Sequence, residues 1–466
     1  MDAEAYRRAG HEMVDFIADY YSSIREREPL PRVEPGYLRP LLPEGPPAEG
    51  VPMEETMKEF NRLIMPGVTH WQHPSFHAFF PAVSSFPAQL GDMLSSALGV
   101  IGFSWIGSPA CTELEAVVMD WWAKMLHLPS CFTAAEGGLG IIQGTASESV
   151  LVAVLGAKAR ERQKNDVAAD PRKLVAYITS QTHVSVRKAA QLADILVHEV
   201  AVDDALAMDV ADLEAIIATH RADGLVPAFV CGTIGTTSSC AVDPIDAIGT
   251  VCNREDIWFH VDAAYAGMLL VCDEFTHMAR GVEKAQSFNV NAHKLGMVTF
   301  DASMFYSTEK KALADALSMK AAYLRNKATD AGEVIDYKDY QVPLGRRFRS
   351  LKVWFVLRTY GTEGIAAVVR RHVRLAQEFE ELVRADDRFE IVVPRTMTLV
   401  CFRLKSSDDD SKALVERINA AHKIFLLTTV FQDTLVIRWV PVSEQTTSED
   451  VIFAWKAIQE AVESEG

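Results

Sequence analysis

Lys294 closes the stretch Ser287-Phe288-Asn289-Val290-Asn291-Ala292-His293-Lys294, just ahead of the apolar run Val298-Thr299-Phe300. Polar side chains crowded against one lysine between apolar stretches describe a lined pocket, although most lysines are simply solvated. Asp262 ends the apolar run Ile257–Val261 and precedes the small residues Ala263 and Ala264. A carboxylate at the end of a buried strand needs a partner. A protonated ring nitrogen would be one, and Ala264 would let a flat ring come close. A cap on the following helix is an equally good use of the same Asp262. Gly144-Thr145-Ala146-Ser147-Glu148 opens a helical run. Its backbone N–H groups and two hydroxyls could cradle a phosphate or form an ordinary N-cap. His183 follows the apolar run Leu174–Thr179 by a few residues, at the edge where parallel α/β sheets bind ligands. A neutral imidazole there could stack on a pyridine ring or be merely structural. Amine, carboxylate, phosphate cup and ring-facing group are together what pyridoxal 5′-phosphate (PLP) asks of a protein.

Two other patterns compete. Gly138-Leu139-Gly140-Ile141-Ile142-Gln143-Gly144 resembles a dinucleotide fingerprint, but it is one residue too long and no clear strand precedes it. His70, His73 and His77 have the spacing of ligands on one helix face. Pro74 interrupts them and Trp71, Phe76, Phe79 and Phe80 are interleaved, so an aromatic pocket wall is the better reading and no metal is expected.

Positioning these groups takes an α/β scaffold. Leu174–Thr179, Val226–Cys231 and Ile257–Val261 are short apolar runs suited to strands buried on both faces. Helical stretches such as Ser147–Gln163 and Val210–Thr219 alternate with them, which argues for a mostly parallel sheet. Residues 6–25 form an amphipathic pattern, followed by a proline-rich extended stretch from Pro29 to Pro52. Beyond Gly345 a helical segment (Leu351 to Val383) precedes strands near Phe389–Val393, Leu399–Leu404 and Thr434–Trp439, then a last helix near Ser448–Val462. The expected division is an N-terminal helical arm (1–75) packed on a partner subunit, a large cofactor-binding domain (76–345) and a small α+β domain (346–466).

Composition narrows the partners. The 466 residues carry 46 basic and 63 acidic side chains, a net charge of −17. Nothing there would neutralise phosphates in bulk, so neither nucleic acid nor an anionic membrane is expected. The start, Met1-Asp2-Ala3-Glu4, lacks the basic-then-apolar order of a signal peptide. No apolar run approaches the ~20 residues that span a bilayer. Seven scattered cysteines without a C-x-x-C fit reduced thiols, hence a cytoplasmic chain.

Over nearly its whole length the sequence resembles the group II pyridoxal-dependent decarboxylases, and among them the aromatic-L-amino-acid decarboxylases. The matching segments are Tyr6–Asp15, Gly67–Trp71, Gly102–Trp105, Ser108–Glu115, Gly232–Thr237, His260–Gly267, Asn291–Lys294 and Pro343–Leu351. The resemblance implies a fold-type I (aspartate aminotransferase-like) homodimer with composite active sites. It implies Lys294 as the Schiff-base lysine, Asp262 as the pyridinium partner and His183 as the stacking base. It sets the phosphate among Thr145, Ala146, Ser147 and Asn291, helped by His293 and Thr233. It lines the substrate pocket with Trp71, Phe79, Phe80, Pro81 and Ala82, with Gly345, and with Ile101 and Phe103 of the other subunit. Tyr323 matches the tyrosine that protonates the product carbon. Leu295 stands where a tryptophan usually follows the lysine, and Ala82 where animal members carry threonine.

The activity so implied is decarboxylation of an aromatic L-amino acid to its amine. Its rivals are an aromatic acetaldehyde synthase, whose relatives tend to lack the tyrosine or the histidine matched by Tyr323 and His183, and a non-catalytic PLP scaffold. Glycine at the Gly345 position accompanies indolic substrates among plant members, so tryptophan and 5-hydroxytryptophan are expected to be accepted.

Overall fold

The computed structural model describes residues 1–164, 170–319 and 327–463. The chain divides into two compact units, one of Pro81–Arg374 with Arg395–Leu399, the other of Met1–Phe80, Leu375–Pro394 and Val400–Gly466.

The larger unit is built on seven strands: β1 (Leu139–Gln143), β2 (Leu174–Thr179), β3 (Leu196–Val200), β4 (Val226–Thr233), β5 (Trp258–Asp262), β6 (Ser287–Asn291) and β7 (Ser303–Ser307). Their order is β1-β7-β6-β5-β4-β2-β3. The neighbours from β6 through to β3 all run parallel, while β7 is antiparallel to both β6 and β1. The mostly parallel α/β sheet expected from the sequence is therefore present. Its strands are short and apolar because helices cover them: every residue of β2 is buried. The helix Ala146–Lys164 supplies Val150, Ala153, Val154 and Ala157 to the core, against Ile178, Phe229 and Trp258. Asp209 caps the helix Val210–Ala222 by accepting from Ala211 and Asp212 N–H.

A helix at Phe86–Leu98 begins at Ser85, whose hydroxyl accepts from Ala88 N–H. Gly91 lets it approach the long helix Arg349–Arg384 closely: a Cβ there would stand 2.6 Å from Lys352 Cα. That long helix is interrupted at Gly361 (φ 63°, ψ 178°).

The smaller unit carries an antiparallel sheet of β8 (Phe389–Val393), β9 (Val400–Leu404), β10 (Leu427–Phe431) and β11 (Thr434–Trp439), ordered β10-β11-β9-β8. Phe379 stacks on Trp439 with ring centroids 4.1 Å apart, and Phe402, Phe389 and Trp455 complete that core. The N-terminal helix Ala3–Ser22 belongs to this unit. Arg25, just beyond it, is tied to Asp450 at 2.9 Å.

Candidate active site

Strand direction brings the candidate residues to one edge. β2, β4, β5 and β6 are parallel, so their C-terminal ends share an edge. Thr233 ends β4, Asp262 ends β5 and Asn291 ends β6, while His183 follows β2 and caps the helix Val184–Leu192. Ser303, the first residue of β7, is registered with both Asn291 of β6 and Gln143 of β1. The Thr145–Ser147 turn after β1 therefore reaches the same edge as Asn291, His293 and Lys294. Ser149 of the same helix seals this junction through Ser303, hydroxyl to hydroxyl at 3.0 Å.

Asp262 is 4% exposed. Its Oδ1 accepts from Ala264 N–H at 3.0 Å and from Asn289 Nδ2 at 3.3 Å. The main chain locks the strand end further: Ile234 N–H donates to Asp262 O, and Asn291 N–H to Ala264 O, both at 3.0 Å. His183 takes Ser185 N–H on Nδ1 at 3.2 Å. Burial pushes its imidazole below the ordinary value, opposed by the Asp262 carboxylate and reinforced by the Lys294 ammonium. His183 thus feels both charges across the sheet edge. Lys294 is half-buried in the short helix Ala292–Leu295. Leu295 behind it is fully buried, and Val83 N–H donates to Lys294 O at 3.2 Å, which lays the Pro81-Ala82 segment alongside.

Thr145 caps its helix, Oγ1 accepting from Glu148 N–H at 3.3 Å, while Glu148 Oε2 reaches back to Gly144 N–H at 2.9 Å. Thr145 thus serves as an N-cap, with Glu148 bracing the residue before it, and helix-start N–H groups at Ala146 and Ser147 face the same edge. His293 sits with Nδ1 3.0 Å from Ala302 N–H, and burial lowers its imidazole to about 4.

Ile101, Phe103 and Gly345 hang on one buried arginine. Arg346 pairs with Glu115, donates to Gln341 Oε1 at 2.6 Å and lies over the Tyr337 ring at 4.8 Å. Its carbonyl accepts from Gly102 N–H at 2.9 Å, and Gln341 Nε2 holds the carbonyl of Pro343 at 2.5 Å. The space beside Gly345 is open: a Cβ there would meet nothing within 4 Å. Ile101 is 59% exposed. Glu115, Gln341 and Arg346 did not stand out in the sequence, since only their burial marks them.

Trp71, Phe79 and Phe80 lie in the smaller unit. Trp71 and Phe79 stack at 5.1 Å with Phe76 and Phe425 beside them, and Arg438 lies 5.2 Å over Phe80. Phe79 holds a φ of 60°, a strained value for a bulky residue. His70, His73 and His77 take separate partners: the Tyr20 hydroxyl at 2.9 Å, Arg27 O at 3.1 Å and Val440 O at 3.2 Å. Tyr323 lies outside the described residues.

The chemistry of the donor set fits PLP. A carboxylate with one oxygen held by two donors stands at the end of β5, a lysine follows the end of the neighbouring strand β6, and a helix N-terminus with hydroxyls reaches the same edge. Asn291 Oδ1 is buried without a hydrogen-bond partner among the described residues. Such an atom at a sheet edge asks for a donor from a ligand.

Comparison with known proteins agrees. The pyridoxal-dependent decarboxylase conserved domain matches residues 35–405. The chain is 46% identical to the aromatic-L-amino-acid decarboxylase of Mus musculus, covering 100% of this chain and 98% of that one. The crystal structure of Oryza sativa TDC with PLP and tryptamine superposes with a TM-score of 0.96 at 40% identity, over 100% and 99% of the two chains. The Rhodiola rosea 4-hydroxyphenylacetaldehyde synthase structure gives 0.94 at 40% identity, with coverage of 100% and 99%. A full-length match of this kind, on a scaffold whose strand ends gather the groups PLP requires, makes the chain a member of the pyridoxal-dependent decarboxylase family.

Proposed function

We propose that this chain decarboxylates aromatic L-amino acids of the tryptophan, tyrosine, dopa and phenylalanine class, releasing CO2 and the arylalkylamine. The carrying observation is the gathering of Asp262, Lys294, His183 and the Thr145–Ser147 turn at one edge of the sheet. Full-length similarity to a decarboxylase of that class supports it. When bound, PLP supplies an electron sink for the bond that loses CO2. Lys294 would be its covalent anchor, Asp262 would pair with the ring nitrogen, and His183, whose imidazole burial lowers, would lie against the ring. Ala146 and Ser147 N–H, with Thr145, Asn291, His293 and Thr233, hold the phosphate, and Ala264 leaves room for the ring. The Tyr323 hydroxyl delivers a proton to the substrate's α-carbon. The resemblance assigns the aromatic and apolar substrate wall to Trp71, Phe79, Phe80, Pro81, Ala82 and Gly345, with Ile101 and Phe103 contributed by the other subunit.

The unit that does this is a cytoplasmic homodimer in which residues 1–75 form a packing arm. The helix Phe86–Leu98 turns Phe86, Leu90, Met93, Leu94 and Leu98 outward at helical spacing, each at least 42% exposed. An apolar face of that size is suited to a second copy, which would also cover Ile101. All seven cysteines are free thiols, as a reducing compartment requires.

The test is a set of kcat/KM values for tryptophan, tyrosine, dopa, phenylalanine, histidine and glutamate, with products identified by mass spectrometry. Amines from the aromatic substrates are expected. Aldehyde with ammonia and peroxide as the main products would replace this reading with the synthase reading that the Rhodiola relative illustrates, and efficient glutamate or histidine turnover would overturn the substrate class.

A further inference from the structure

The register between β5 and β6 sets His260 beside Ser287 and Asp262 beside Asn289. Side chains alternate along a strand, so Trp258, His260 and Asp262 share one face with Ser287, Asn289 and Asn291. All six are buried. Polar groups this deep need partners, and Trp258, Ser287, His260, Asn289 and Asp262 supply them to one another in a single file. Trp258 Nε1 lies 2.8 Å from Ser287 Oγ, and Ser287 Oγ lies 2.8 Å from His260 Nδ1. His260 Nε2 lies 2.8 Å from Asn289 Oδ1, and Asn289 Nδ2 lies 3.3 Å from Asp262 Oδ1.

The Asp262 end sets the direction. Asn289 Nδ2 donates to Asp262 Oδ1, which leaves Asn289 Oδ1 as the acceptor facing His260 Nε2. The imidazole proton is therefore on Nε2, and Nδ1 is left to accept from the Ser287 hydroxyl. Ser287 Oγ in turn accepts from the indole N–H of Trp258, which can only donate. Burial lowers the His260 imidazole to about 4, consistent with the neutral form in which each nitrogen serves one partner. Phe229 stacks on the ring at 5.9 Å and helps to hold its plane.

We propose that His260 and Asn289 are positioning residues for Asp262: the relay occupies Oδ1 and so leaves Oδ2 for the ring nitrogen of the cofactor. This rests on the PLP reading above and deepens it. Neither residue touches the reacting atoms, and both act through the carboxylate.

His260→Phe keeps the ring and its stacking but removes both nitrogens. Asn289→Leu removes the amide with little change in volume. Each apoprotein is titrated with PLP and with the analogue whose ring nitrogen is replaced by C–H, followed by absorbance and quenching of tryptophan fluorescence. Melting of the apoproteins reports the fold separately. Wild type is expected to prefer PLP over the carbon analogue. The variants should bind PLP about tenfold more weakly, the worth of one hydrogen bond to a charged group, and leave the carbon analogue within about twofold. The preference for nitrogen then collapses. Equal weakening for both ligands, or none for either, would overturn the relay and leave His260 and Asn289 as core residues. A wild type that binds both rings equally would overturn it at Asp262 itself. A wild type that does not bind PLP at all would overturn the functional reading, and the relay with it.

Discussion

Glu115→Ala is expected to destabilise the larger unit by about 3–5 kcal/mol, the cost of stranding a buried charge. Glu115 and Arg346 meet with side chains only 1% exposed. Truncating the acid leaves the guanidinium enclosed by neutral partners: Gln341 Oε1 at 2.6 Å, Ile142 O at 3.1 Å and the Tyr337 ring at 4.8 Å. Ile142 N–H, 2.8 Å from Glu115 Oε1, loses its acceptor as well. The pair itself is not a net asset of that size. Glu115 Oε2 and Arg346 Nε lack hydrogen-bond partners among the described residues, and replacing both side chains removes those atoms. Glu115→Ala combined with Arg346→Met should therefore lose less than roughly half the sum of the losses of Glu115→Ala and Arg346→Met alone. Urea unfolding of the four proteins, followed by circular dichroism and fluorescence, closes the cycle. Single losses below about 1 kcal/mol, or a double loss equal to the sum, would refute the reasoning. The single variants should also lose kcat/KM for an aromatic substrate, because the Ile101–Phe103 wall is tied to Arg346 O through Gly102 N–H.

Tyr323→Phe should lose amine formation and gain aldehyde, ammonia and peroxide; amine at the parent rate would remove Tyr323 as the proton donor. Gly345→Ser should fold at the parent melting temperature, since its side chain enters open space. It should move the tyrosine-to-tryptophan ratio of kcat/KM toward tyrosine by about tenfold or more, and an unchanged ratio would make Gly345 merely structural. Burial holds His260 and His293 at about 4, against 6.5 when unfolded. The unfolded chain thus takes up protons first as pH falls, and stability should drop between pH 6.5 and about 4, by on the order of 3 kcal/mol for each histidine. Urea midpoints across that range check this, and a flat profile would contradict it.

Elements made of continuous apolar residues were legible in the sequence. β2 occupies Leu174–Thr179 as read, and the helical stretch Ser147–Gln163 lies within Ala146–Lys164. β6 was not legible as a strand. Its Ser-Phe-Asn-Val-Asn pattern looks half-solvated, yet the strand is wholly buried because its polar face is satisfied by β5. β7, which joins β1 to β6, is only five residues long and begins and ends in serine. Lys294, Asp262 and His183 stood out by type and by position at the ends of apolar runs. Their convergence with Thr145–Ser147 depends on register through β7, a non-local pairing that no local pattern encodes. His260 and Asn289 could have been found from the polar residues alternating along both strands.

The central claim is that this sheet edge holds PLP with Lys294 as its covalent anchor. Borohydride reduction of the PLP-loaded protein, followed by digestion and peptide mass spectrometry, tests it most directly. The pyridoxyl mass is expected on the peptide containing Lys294 and to be absent from Lys294→Ala. The same mass on a different lysine, or amine production by a protein that carries no such adduct, would contradict the account.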